Sequence, residues 1–316
     1  MNSDQIKAAI FALPEFAAWP DMASVFGRTS GKLSTEWELP YMACQAVGGP
    51  PEAVLAGAAA LACTQLSIVL VDDMLDDDPR GDYHQLGYGP AANLALAYQA
   101  AAFALVKTAP VDAERRAGLC AWLAHIGLGT ALGQYHDAHN AGDEAAYWQV
   151  MRGKSAPFYG AALALGALLG GASPAVVEGL NQLGILIGEN AQIYDDLGDA
   201  LRSPARPDWQ RGRNNLPILY ALTANYPNRA RFEECLAQAA DPEHLREAQA
   251  ILVQCGAVSY CAFQTAQRYR AARALLASLP LADRGPLEEA LGRQSRPLVA
   301  LFRAAGTEPP ADLLDV

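Results

Sequence analysis

An apolar run ends in five carboxylates: Val71-Asp72-Asp73-Met74-Leu75-Asp76-Asp77-Asp78-Pro79-Arg80 closes an Ala- and Leu-rich stretch that begins near Glu52. If that stretch is a helix, Asp72 and Asp76, four apart, share a face, with Asp73 beside them. Negative charge at a helix C-terminus opposes the macrodipole, and the carboxylates repel one another. Folding favours no such arrangement unless cations neutralise it. Gln192-Ile193-Tyr194-Asp195-Asp196-Leu197-Gly198-Asp199 repeats the pattern late in another long apolar run. There Asp195 and Asp199 share a face and Asp196 is adjacent. Either cluster alone could be a solvated acidic helix end; two, on two apolar helices, can face each other across a cavity. Hard oxygen ligands in this number suit Mg²⁺, which keeps several waters and completes its shell with phosphate oxygens. A diphosphate held this way is a good leaving group, because the charge developing on it is already neutralised. Apolar helix walls would shelter a carbocation and exclude water.

The elements that must position these clusters are all helical. Pro50 and Pro51 precede a run from about Glu52 to Asp78, stopped by Pro79 and Gly81. A second run, Pro90 to Lys107, ends before Pro110, and Asp112 can cap a third through Gly133 and Gln134. Asp143 can cap a fourth, continuous through Lys154 to about Leu169, where Gly170 and Gly171 stop it. Ser173-Pro174 pairs a cap with a first-turn proline and opens a run to Leu201. After a Pro- and Arg-bearing loop over 202–215, helical patterns resume at Leu216 and continue with breaks to about Arg303. No alternating strand pattern interrupts them. The runs 52–78 and 174–201 are apolar on most faces, as helices wrapped by other helices are. With no low-complexity linker, residues 1–316 are expected to form one all-α domain, a helical bundle around a central cavity.

Composition narrows the partners. A formal charge of −11 argues against nucleic acid, which calls for clustered Lys and Arg. Hydrophobic residues make up 52% of the chain, ample for a large helical core. The six cysteines lack CxxC spacing and sit among apolar residues, as free buried thiols do. The N-terminus has no basic region before its short apolar run, and the longer apolar stretches are interrupted by Gln, Ser or Gly before the ~18 residues of a membrane span. A soluble, cytoplasmic protein is expected.

These residues resemble the trans-isoprenyl diphosphate synthases, or polyprenyl synthetases, over most of the chain. DDMLDDDPRG looks like that family's first aspartate-rich motif and QIYDDLGD like its second. Gly133-Gln134-Tyr135-His136-Asp137 resembles its GQxxD segment, and Tyr147 with Lys154-Ser155 its tyrosine and Lys-Thr pair. Arg211-Gly212-Arg213-Asn214-Asn215-Leu216-Pro217 resembles its GKxTLP segment, with Arg213 in place of lysine. The resemblance implies a magnesium-dependent prenyltransferase, usually a homodimer, acting on an allylic prenyl diphosphate. Asp72, Asp73, Asp76, Asp195, Asp196 and Asp199 would ligate Mg²⁺, and Arg80, Lys154 and Arg213 would contact the diphosphate. Fixed cations and guanidinium forks suit phosphate oxygens, although Lys154 in an apolar helix could instead snorkel to water. Gln134 and Gln192, mid-helix among apolar residues, each need a polar partner; a place beside the substrate and a plain interhelical hydrogen bond are both open. The apolar run Ala91–Leu105 is the candidate dimer helix.

By the same resemblance, positions one turn before the first aspartate floor the channel for the hydrocarbon tail. Here they are Ser67 and Ile68, with Thr64 and the neighbouring Cys63 or Cys44 further down, none of them aromatic. Chains of twenty carbons or more are expected to fit, unless another residue such as Phe103 closes the channel.

One segment departs from the family. Where its GGKRLRP segment supplies cations for isopentenyl diphosphate, this chain has Ser34-Thr35-Glu36-Trp37-Glu38-Leu39-Pro40, with Lys32 slightly upstream. The usual Arg-Arg pair is reduced to Arg80. A second diphosphate would meet carboxylates where it needs cations. Three readings follow: a chain-elongating synthase with an unusual second site; an enzyme that ionises one prenyl diphosphate and cyclises it, quenches it or transfers it to another acceptor, as class I terpene synthases do; and a non-catalytic subunit of a heteromeric synthase. Intact aspartate pairs speak against the third.

Overall fold

The computed structural model describes residues 3–33, 35–138, 143–211 and 214–304. Every regular element among them is helical. Helices α1 (Ser3–Phe11), α2 (Pro14–Ala17) and α3 (Pro20–Leu33) lead to a 3-10 turn (Glu36–Glu38) and α4 (Leu39–Ala46). A second 3-10 turn (Pro51–Ala53) precedes α5 (Leu55–Leu75), followed by α6 (Tyr83–Leu86), α7 (Tyr88–Val106) and α8 (Ala113–Asp137). Next come α9 (Glu144–Lys154), α10 (Ala156–Leu169) and α11 (Pro174–Leu201). The chain ends through α12 (Asp208–Arg211), α13 (Leu216–Thr223), α14 (Arg229–Leu236), α15 (Pro242–Gln254), α16 (Ala257–Ser278) and α17 (Gly285–Ala304). Asp112 and Asp143 cap α8 and α9 as expected, accepting from the Arg115 and Ala146 amides at 2.8 and 2.9 Å.

The helix expected to run unbroken from Asp143 to Leu169 is two helices, with the break at Ser155. Pro157 stands at the second position of α10 and has no amide hydrogen to continue the ladder of α9.

The helices divide into two compact units, Met1–Thr130 with Pro157–Ile185 and Leu275–Ala290, and Ala131–Ala156 with Leu186–Ala274 and Leu291–Val316. In the first, α5 is the central helix, and every residue from Ala56 to Ser67 is buried. Its alanines let α7 lie along it, burying Ala91, Leu94, Tyr98, Ala102 and Leu105. Each fully buried leucine here contributes roughly 1.5–3 kcal/mol. Tyr98 satisfies its hydroxyl by donating to the Met22 carbonyl at 2.7 Å. Close approach is also required where α10 meets α4: a Cβ on Gly166 would lie 2.0 Å from the Pro40 oxygen, so only glycine fits.

The polar interruptions in the apolar runs do less than the sequence reading expected. Pro51–Leu75 and Tyr88–Val106 are both long and apolar enough to cross a membrane by length and composition. In the first, 78% of the most apolar stretch is buried inside the protein, the state of a core helix. All six cysteines are unpaired.

In the second unit, two apolar clusters hold α11 in place. Tyr147, Met151, Ile193, Leu197, Leu216, Leu219 and Cys261 form one. Trp209, Phe232, Leu245, Ile251 and Leu252 anchor the other beneath α12 to α15. Glu189 on α11 is buried but doubly paired, by Arg152 at 3.0 Å and Arg268 at 2.5 Å. Arg268 also lies 3.9 Å above the Trp148 ring.

Candidate functional site

The first aspartate cluster sits where α5 stops. Asp76 is the C-cap residue, and its amide donates to the Asp72 carbonyl at 2.9 Å. Asp77 then takes a left-handed conformation, φ 50°, which an aspartate tolerates better than most residues. That turn brings the Asp78 amide back to the Asp73 carbonyl at 3.0 Å, so the carboxylates crowd together instead of fanning out. Gly81 follows in a position where a Cβ would strike the Tyr83 ring at 2.6 Å and the Asp73 Cβ at 2.9 Å. Burial, then the neighbouring Asp78 and Asp72, push the Asp73 carboxyl up to about 6. Arg80 grips Asp78 through Nε at 2.9 Å and Nη2 at 2.5 Å, leaving its side chain 57% exposed beside the cluster.

Below the aspartates, the two positions expected one turn before Asp72, Ser67 and Ile68, differ in burial. Ser67 is 8% exposed and Thr64 is fully buried, while Ile68 and Val69 are half-buried. Ser67 lies five residues before Asp72, about 140° around the helix, whereas Ile68 lies four before it, about 40° away. The partly open lining under Asp72 is therefore Ile68 and Val69.

The second cluster is built differently. Asp195 is exposed, Asp199 is half-buried, and Arg202 and Arg206 each approach Asp199 at 3.8 Å. Asp196, expected among the metal ligands, is 2% exposed with both oxygens occupied. Oδ2 accepts from the Tyr147 hydroxyl at 2.6 Å and the Leu216 amide at 2.8 Å, and Oδ1 accepts from Gln192 Nε2 at 2.9 Å. Burial is the main cause that raises its carboxyl to about 7, against these three bonds. This is the environment of a carboxylate that organises the fold. Gln192 has the interhelical partner its position calls for, since its Oε1 accepts from Ser155 Oγ at 2.8 Å.

Lys154 reaches a carboxylate that sequence reasoning had placed in a motif without a role. Its Nζ lies 3.0 Å from Asp137 Oδ2, and Asn214 Nδ2 donates to Asp137 Oδ1 at 2.6 Å. One carboxylate thus fixes both the lysine and Asn214. Its neighbour Asn215 donates to the Asp196 carbonyl at 2.9 Å and to Asp208 at 2.8 Å. Arg213 lies outside the described residues, as do the side chains of Arg211 and Lys32. The signal for Asp137 was its place at the C-terminus of a helix, where a negative charge needs a cation. Close approach of α8 and α9 makes the contact possible: a Cβ on Gly133 would lie 2.4 Å from Gly153 and Lys154 backbone.

Among the described residues no three His, Cys, Asp or Glu side chains already converge as a metal cage. The donor set nonetheless fits Mg²⁺, which takes one or two carboxylates per ion and fills the rest of its octahedron with water and phosphate oxygens. Asp73, its charge opposed by burial and by the like-charged Asp78, Asp72 and Asp82, is the kind of carboxylate a divalent cation relieves.

Residues 38–252 match the polyprenyl synthetase family model. This chain belongs to the polyprenyl synthetase family. A short chain isoprenyl diphosphate synthase of Methanothermobacter thermautotrophicus is 28% identical over 270 residues, which cover 81% of this chain and 83% of the relative. Among solved structures, geranylgeranyl pyrophosphate synthetase from Pyrococcus horikoshii superposes with a TM-score of 0.81, at 20% identity over 92% of this chain and 94% of that one. Geranylgeranyl pyrophosphate synthase from Corynebacterium glutamicum, solved with isoprenyl diphosphate and magnesium, gives 0.76 at 18% identity, over 92% and 96% of the two chains. The fold is accordingly that of the helical isoprenyl diphosphate synthases, and the polyprenyl synthetase is an enzyme of the prenyltransferase class.

Proposed function

We propose that this polyprenyl synthetase binds an allylic prenyl diphosphate with Mg²⁺ and transfers its prenyl group after the C–O bond ionises. The observation that carries this reading is the crowding of Asp72, Asp73 and Asp78 at the end of a buried helix, with the Asp73 carboxyl raised by burial and then by its neighbours. Asp72, Asp73 and Asp76 at the end of α5, and Asp195 and Asp199 late in α11, are the carboxylates proposed to bind metal. Asp196 would not, because its oxygens are spent on Tyr147, Gln192 and Leu216. Bound Mg²⁺ supplies charge neutralisation for the departing diphosphate. Lys154, oriented by Asp137, and Arg80, at the rim of the first cluster, add fixed positive charge for its oxygens. Ile68 and Val69 give the hydrocarbon an apolar wall. Arg213 is proposed as a third diphosphate contact on the strength of its motif.

A second reading concerns the acceptor. At the segment where the family's lysine and arginine would serve isopentenyl diphosphate, Trp37 is fully buried and Glu36 is bound to Gln65 and Tyr159. This favours an acceptor other than isopentenyl diphosphate, or none. Turnover of farnesyl and geranylgeranyl diphosphate with Mg²⁺, with and without isopentenyl diphosphate, tests both. Absence of diphosphate release in every combination defeats the first reading; efficient chain elongation defeats the second.

We further propose a homodimer in a reducing, cytoplasmic setting. Most of α7 is used against α5, but Leu96 at 68% and Phe103 at 37% exposure remain on its outer face with Ala100 between them. A monomer by light scattering at micromolar concentration refutes the dimer.

A further inference from the structure

The turn that closes the first aspartate cluster is held from far along the chain, by a guanidinium to which the proposed reaction gives no task. Arg28 on α3 donates through Nε to Asp82 Oδ1 at 2.5 Å, and its Nη1 donates to Ser24 Oγ one helical turn before it. Two bonds from a rigid planar head fix its orientation. The Asp82 side chain is 11% exposed, so losing this partner leaves a largely withdrawn charge unmatched. Helix α3 is itself anchored. Met22, Val25 and Phe26 are buried, Phe26 lies 5.5 Å from the Trp37 ring, and the Met22 carbonyl accepts from Tyr98 of α7 at 2.7 Å. Arg28 therefore reaches Asp82 from a fixed platform.

The other end of this ion pair adjoins the aspartates. Gly81, next to Asp82, is buried with its backbone so near Asp73 that an added Cβ would lie 2.9 Å from the Asp73 Cβ. Its amide donates to the Asp78 carbonyl at 2.9 Å, and its carbonyl accepts from the His84 amide at 3.2 Å. Arg80 and His84 grip Asp78, and Tyr88 grips Asp77, from two, six and eleven positions away. Contacts that local could shift together with the turn. Arg28 acts across 54 positions and ties the turn to a separate helix. Such a tie is what the left-handed Asp77, at φ 50°, requires of its surroundings. Asp82 is also one of the carboxylates that oppose charge on Asp73, and Arg28 offsets it.

We propose that Arg28 is a positioning residue for the metal site: through Asp82 and Gly81 it holds the turn after α5 against Asp73, so that the carboxylates stand in place before Mg²⁺ arrives. This rests on the reading that Asp72, Asp73 and Asp76 bind the metal. Residues that orient metal ligands without touching the ion change affinity by about 10–100-fold when lost. An electrostatic effect runs the other way. Without Arg28 the Asp82 carboxylate adds a bare negative charge beside the cluster and attracts Mg²⁺ more strongly. With Arg28 37% exposed, solvent screening limits that attraction to about fivefold. Positioning and bare charge thus predict changes of opposite sign, and positioning is the larger.

The test follows the melting temperature with inorganic diphosphate held constant and Mg²⁺ varied, and reads the Mg²⁺ concentration at half of the total shift. Arg28→Met should raise that concentration at least about 10-fold. The Mg²⁺ dependence of diphosphate release from geranylgeranyl diphosphate should move by the same factor, while the KM for the prenyl diphosphate at saturating Mg²⁺ stays near that of the parent. A general loosening of the fold would instead lower the melting temperature without metal and leave the half-point where it is. Arg28→Lys keeps the charge but not the two-pronged hold, so its half-point should rise by a smaller factor. Where Arg28→Met does not fold, Arg28→Lys decides alone. A half-point that is unchanged or lowered in the deciding variant overturns the assignment while leaving the metal site intact. A parent whose melting temperature ignores Mg²⁺ and diphosphate defeats the metal reading itself and this assignment with it.

Discussion

The two aspartate clusters look alike in sequence, yet the fold treats them in opposite ways. At the end of α5 a left-handed Asp77 folds the chain back so that carboxylates accumulate, and Asp73 bears the electrostatic consequence. At the end of α11 the middle aspartate is withdrawn from solvent and satisfied by a tyrosine, a glutamine and a backbone amide. In the first cluster, burial and neighbouring carboxylates raise Asp73, with Arg80 offsetting part of the effect. In the second, Asp195 stays exposed while Asp196 ties α9, α11 and α13 together. Adjacent aspartates can thus divide into one that is available to ligands and one that fixes the frame around it.

Removing a carboxylate from each class separates the two. Asp72→Ala and Asp195→Ala should each lower prenyl diphosphate turnover by about 10²–10³-fold, because charge neutralisation of the leaving group is lost. Neither should unfold the chain, and Asp72→Ala should gain slightly in stability without metal as repulsion falls. Normal turnover in both variants would show that the clusters are solvated helix ends.

Asp196→Ala should behave in the reverse manner, costing about 3 kcal/mol in urea unfolding by leaving Tyr147 and the Leu216 amide unsatisfied in the interior. A loss no larger than that of Asp195→Ala would erase the distinction between the two residues.

Ligand-linked stability probes the clusters together. Mg²⁺ alone should raise the melting temperature slightly. Mg²⁺ with inorganic diphosphate should add about 2.7 kcal/mol at a hundredfold excess over Kd, since both bind the folded chain. Indifference to both would sink the metal assignment.

The smallest effect concerns the carboxylate outside both clusters. Burial raises the Glu36 carboxyl above its ordinary 4.5, so the folded chain holds that proton more tightly than the unfolded one. Its contribution to stability is fully present below the ordinary value and is lost as pH rises through the raised one. Melting temperatures at pH 5 and pH 8 should therefore diverge less in Glu36→Gln than in the parent. Equal divergence in both would mean that Glu36 titrates as a solvated group.

Much of this molecule follows from local rules. The helical class, the caps at Asp112 and Asp143, the central place of the 52–78 and 174–201 runs and the four-residue spacing of the paired aspartates all arise within a few residues of sequence. Periodicity also states which residues share a face. It cannot state which face another element will cover, because that depends on residues far along the chain. Asp137 meets Lys154 across 17 positions, Tyr147 meets Asp196 across 49, and Tyr159 meets Glu36 across 123. For the same reason Asp196 could be numbered among the aspartates but not separated from them, and Ser67 and Ile68 could be named together although the packing buries Ser67 and leaves Ile68 half-buried. Burial decides which carboxylates remain available to a cation, and burial is a property of the packed helices rather than of any one of them.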